Sequence, residues 1–162
     1  MLIEMAIKGL MLDPITNMPI VLLRDLDSQR VLPIWVGPVE ANAIALQVEN
    51  VAPTRPMTHD LMRNLLQELG ATLSRVLITD LRENTFFAYL ELRRDQDRET
   101  MLVDARPSDA LALAIRTRTP VFVDSRVLDQ AKSVDVTNEQ ANQERLQKWL
   151  ESLDPDDLGY KM

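Results

Sequence analysis

The 162-residue chain contains no cysteine, one histidine and four glycines, and aromatics make up 4% of it. Without cysteine there is no disulfide, no thiolate nucleophile and no Cys-bound zinc. A single histidine, His59, rules out two-histidine acid–base pairs and multi-histidine metal sites within one chain. The glycines stand at 9, 37, 70 and 159, so neither a P-loop nor a dinucleotide fingerprint can be assembled. The G-x-S-x-G nucleophile elbow is missing too. No apolar run approaches the roughly 20 residues that span a bilayer. The first residues, MLIEMAIKGLML, carry no basic leader and place Glu4 and Lys8 among apolar positions, so they do not read as a signal peptide. A cytoplasmic protein is expected.

Apolar residues at 46% and charged ones at 27% describe an ordinary globular domain. The net charge of −7 argues against a protein that coats nucleic acid electrostatically. Residues 1–123 hold 16 acids against 13 bases, a balance of −3, whereas residues 124–162 hold 9 against 5, giving −4. The body is thus nearly balanced, and its bases are mostly arginine. Arg93, Arg94, Arg98, Arg106, Arg116 and Arg118 could form a phosphate-facing patch or a solvated rim.

Alternation and turn residues predict strands over about 2–12, 18–24, 30–36, 72–82, 85–93, 99–104 and 120–123. Helices are expected from Pro38 to about Asn50, from Thr58 as cap to Glu68 or Leu69, and from Pro107 onward. Leu61, Met62, Leu65, Leu66 and Leu69 form the expected core stripe of the second helix. Residues 126–132 read as a helical turn or two. Asn138 can cap a last helix with the stripe Leu146, Trp149, Leu150 and Leu153. The expected fold class is α+β: a single compact domain with a mixed, largely antiparallel sheet packed by helices. Residues 1–135 form its body. Residues 136–162 supply a C-terminal helix and acidic tail docked on that body or on a neighbouring subunit, which makes a homo-oligomer plausible.

An internal similarity stands out. IWVGPVEANAIAL at 34–46 aligns with VDARPSDALALAI at 103–115, matching Pro38 with Pro107 and Glu40 with Asp109. Each segment turns a strand into a helix with proline first and an acid third. Helix-dipole stabilisation, about 0.3–1 kcal/mol, accounts for Glu40 and Asp109 but not for Asp104 or Arg106.

Those residues give a candidate site at one cleft edge. Glu40, Asp104 and Asp109 offer oxygens to a divalent cation such as Mg or Mn. His59, Asp104 and Asp109 are the candidate catalytic residues. Arg106 and Arg55 are candidate substrate contacts.

Three blocks, VLPIWVGPVEANAIA, RPMTHDLMRNLLQELG and VDARPSDALALAIR, resemble the bifunctional nuclease family of bacteria and plants, over about residues 2–123. The resemblance implies one compact α+β domain and a nuclease acting on DNA, RNA or both. It implies no particular catalytic residues. Some plant members carry an added UVR-type helical module, which the tail NEQANQERLQKWLESLDPDDLGYKM does not resemble. The other reading is a non-catalytic stress-response or regulatory binding module.

Overall fold

A computed structural model describes residues 1–131 and 139–152. Seven strands form one sheet: β1 (Leu2–Leu12), β2 (Pro19–Asp25), β3 (Val31–Trp35), β4 (Ala71–Arg82), β5 (Thr85–Arg94), β6 (Thr100–Ala105) and β7 (Val121–Asp124). The helices are α1 (Pro38–Val48), α2 (Thr58–Glu68), α3 (Pro107–Thr117), α4 (Ser125–Gln130) and α5 (Glu139–Ser152). The strand order is β3-β2-β1-β7-β4-β5-β6. Every pairing is antiparallel except β4 with β7. The fold is α+β.

The internal similarity has a structural counterpart. β1, β2 and β3 form an antiparallel meander that ends at one sheet edge and feeds α1. β4, β5 and β6 do the same at the other edge and feed α3. β7 joins the two halves, and α1 packs against α3. Ile44 of α1 and Leu111 and Leu113 of α3 are fully enclosed in a core shared with Val21, Val76 and Ile78 of the sheet. Enclosing side chains of this size stabilises by about 1.5–3 kcal/mol each. Both helices start with proline at the first helical position, after an extended residue, Gly37 or Arg106.

α2 is inserted between the halves and packs on α3 and β4. Its expected stripe is narrower than the sequence suggests. Met62 and Leu66 lie against the core, but Leu61, Leu65 and Leu69 are 52%, 50% and 78% exposed. Helical periodicity identifies an apolar face without stating how much of it finds a partner. Here α3 and β4 cover only one side. Gly70, at φ +69°, takes the left-handed position that ends the helix.

α5 packs along β1, with Trp149 against the core and the Arg145 guanidinium donating to the Asp13 carbonyl oxygen. Asn138 and Leu153, read above as the cap and last stripe residue, lie outside the described residues.

Candidate functional site

Because α1 and α3 pack together, their first turns meet, and Glu40 and Asp109 occupy the third position of each. Among the described residues neither acid accepts from a backbone N–H of its own helix start. Both turn to Arg106 instead. The Arg106 Nε donates to Asp109 Oδ2 at 2.9 Å, and its Nη2 donates to Glu40 Oε1 at 2.8 Å. The Glu40 carboxylate occupies the space that a Cβ on Gly37 would take, at the position where arginine stands in the other copy of the repeat. The remaining Arg106 nitrogen, Nη1, has no protein partner among the described residues, and the side chain is 66% exposed.

The first turn of α2 completes the cluster. His59 is 5% exposed, and its Nε2 lies 3.0 Å from Asp109 Oδ1. Burial would raise the Asp109 carboxyl pKa, but hydrogen bonds from Arg106 and His59 and their charges outweigh it and hold the group below the usual carboxylate range. An ionised carboxylate only accepts, so Nε2 carries the proton and donates. Nδ1 is then the basic nitrogen. It has no protein hydrogen-bond partner among the described residues.

Asp60, the next residue, serves α2 rather than the cluster. Its Oδ2 accepts from the Met57 N–H at 3.0 Å, closing the helix start in place of the expected Thr58 cap. Its Oδ1 accepts from Arg116 Nε at 2.7 Å. Arg116 also donates to the carbonyls of Ala112 and Ala43, tying all three helices together inside the protein. Its burial removes it from the anticipated arginine patch, as does the pairing of Arg94 with Asp97 and Glu99.

A sequence model of the family described as "Bifunctional nuclease domain" matches residues 21–135, a span containing every residue of this cluster. The chain belongs to the bifunctional nuclease domain family. An uncharacterized protein of Mycobacterium tuberculosis is 40% identical over 164 residues, covering 96% of this chain and 97% of its own length. Bifunctional nuclease 1 of Oryza sativa subsp. indica is 27% identical over 109 residues, 67% of this chain and 33% of the plant protein. Bifunctional nuclease 2 of Arabidopsis thaliana is 27% identical over 110 residues, 62% of this chain and 33% of its own length.

Within this bifunctional nuclease domain, Glu40, His59, Arg106 and Asp109 are gathered, while Asp104 and Arg55 stand apart. Asp104 pairs with Tyr89 on edge strand β6. Met101 and Ala105 of that strand pack on the core, so strand alternation turns Asp104 to the opposite face. No side-chain bond connects it to the cluster among the described residues. Arg55, in the loop before α2, borders a separate cavity. The expected cation ligands are therefore not assembled. No group of three His, Asp or Glu that could hold a metal exists among the described residues, and Arg106 lies between Glu40 and Asp109. Both gathered carboxylates are engaged by Arg106, so these side chains do not present a ready three-ligand cation site.

Two contributors escaped the sequence reading. Gly37 gave only a helix-start signal, and the Asp60–Arg116 pair links residues 56 apart with no local motif.

Proposed function

We propose that the chain is a nuclease that hydrolyses phosphodiester bonds of DNA or RNA at the His59–Asp109–Arg106 cluster. The observation that carries this reading is the imidazole held by Asp109 through Nε2, beside a guanidinium whose Nη1 has no protein partner among the described residues. Arg106 Nη1 pairs with a non-bridging phosphate oxygen. Nδ1 of His59 takes a proton from water, whose oxygen attacks phosphorus. The imidazolium, stabilised by Asp109, returns that proton to the leaving oxygen as the phosphorus–oxygen bond breaks. Asp109 is a positioning residue in this scheme, and Glu40 fixes the guanidinium.

Local electrostatics tolerate the substrate. Two carboxylates and one guanidinium leave −1. Three helix N-termini each contribute a partial positive charge of up to about half an electron. The names of the plant relatives add support. No helix among the described residues is long and apolar enough to cross a membrane. The cytoplasmic location we propose rests on the absence of cysteine, which suits a reducing compartment. The test is cleavage of labelled single-stranded RNA and DNA by purified protein, with EDTA and with Mg or Mn. Hydrolysis that persists in EDTA supports this scheme, whereas hydrolysis only with added metal contradicts it.

One observation favours the non-catalytic binding module: every member of the cluster already has a partner, as in a structural ion-pair network. Binding of labelled RNA without cleavage under any metal condition would select that reading.

We also propose a homo-oligomer. The exposed Leu61, Leu65 and Leu69 support a second copy covering α2. Leu65→Glu should then lower the sedimenting mass without lowering the melting temperature; an unchanged mass contradicts self-association through this face.

A further inference from the structure

A cavity of about 380 Å³ lies between the end of α1, the loop 49–57 and the first turn of α2. It is close to the lower limit of small-ligand sites, roughly 300 Å³. Gln47, Asn50, Pro53, Arg55, Asp60 and Arg63 are among its walls.

Neither of its arginines forms a salt bridge among the described residues. Arg55 is exposed and has no partner among the described residues, and Arg63 donates only to the neutral Asn64 amide oxygen. Asp60, the acid that borders the cavity, accepts its hydrogen bonds from Arg116 and the Met57 N–H, and the nearby Arg63 charge also helps to hold it ionised. Elsewhere Arg30, Arg75, Arg82, Arg94, Arg106 and Arg126 each pair with a carboxylate, whereas Arg24, Arg93, Arg98 and Arg118 have no such pair among the described residues. Arg55 and Arg63 line the same cavity, and a phosphate bound there would pair with guanidinium donors that no carboxylate occupies.

The opposite wall suits something other than phosphate. There α1 ends, with the Ala45, Leu46 and Gln47 carbonyls taken up by the N–H groups of Glu49, Val51 and Asn50. Gln47 and Asn50 stand on that side with both amide donors and acceptors. Those amides can accept from and donate to the polar edge of a base or the hydroxyls of a sugar. Pro53 adds an apolar surface.

We propose that this cavity binds one nucleotide unit of a nucleic acid, with its phosphate on Arg55 and Arg63 and its base against Pro53, Gln47 and Asn50. As a substrate subsite it rests on the nuclease reading above. Asp60 borders the cavity and follows His59 in sequence, so the subsite lies beside the first turn of α2 that presents the imidazole.

The test is an NMR titration of the full chain with adenosine 5′-monophosphate, adenosine and inorganic phosphate. The nucleotide should shift amides across 47–63 and bind at least tenfold more tightly than adenosine or phosphate alone. Arg55→Ala and Arg63→Ala should each weaken it fivefold or more, and His59→Asn should leave it within twofold. Absence of shifts, a Kd unchanged in Arg55→Ala, or phosphate binding as tightly as the nucleotide overturns the proposal. So does a loss in His59→Asn equal to that in Arg55→Ala, because the ligand would then lie at the imidazole. Nucleotide binding without any hydrolysis would leave the cavity assigned and remove the nuclease reading. Hydrolysis without nucleotide binding would do the reverse.

Discussion

Glu40 and Asp109, 69 positions apart and each third in its helix, grip the same guanidinium from two sides. The arrangement follows from the repeated β-β-β-α unit, which brings two equivalent helix starts together. It makes Arg106 the only bridge between them among the described residues. Since the Arg106 side chain is 66% exposed, water screens both contacts. Arg106→Ala should cost at most about 1 kcal/mol of stability. Its effect should fall on cleavage instead. A denaturant midpoint that drops as far as for a core truncation would show that the pair is chiefly structural.

Arg116 should behave in the opposite way. Its side chain is 2% exposed, and its bonds to Asp60, Ala112 and Ala43 hold α1, α2 and α3 in register. Arg116→Met leaves the Asp60 carboxylate buried without its cation, at a cost of about 3–5 kcal/mol. Adding Asp60→Leu should recover part of that loss. Urea unfolding of the single and double variants measures both, and additive losses would contradict a coupled pair.

Much of this architecture is legible in the sequence. Proline at the first helical position marks the starts of α1 and α3, and the alignment of 34–46 with 103–115 reflects the repeat that pairs them. The shared partner is not legible, because a third-position acid satisfies helix electrostatics with or without Arg106. Arg116 reads as a surface base, since nothing near it in sequence reveals Asp60. The leucines of α2 follow a core period although half of that face is uncovered. Asp104 is different. Its separation from the cluster follows from the two-residue alternation with Ala105, which sequence alone supplies.

Acid should weaken the protein in a defined window. Burial would raise the Asp60 carboxyl pKa, but the Met57 N–H and Arg116 overcome it, and Asp109 is lowered likewise by Arg106 and His59. A folded-state pKa below the unfolded one gives stability that is present above the ordinary carboxylate range. It is lost as pH falls through the lowered folded values. The denaturant midpoint should therefore decline below about pH 4. Asp109→Asn should make that decline shallower. An equally steep decline in the variant would show that Asp109 does not contribute to it.

The most direct test of the account is the cleavage rate of a labelled single-stranded oligonucleotide by His59→Ala beside the parent chain, with matched circular dichroism spectra. Loss of a positioned general base should slow cleavage by about 10²–10⁴-fold. Cleavage at the parental rate by the folded variant would contradict a nuclease site at His59, Asp109 and Arg106.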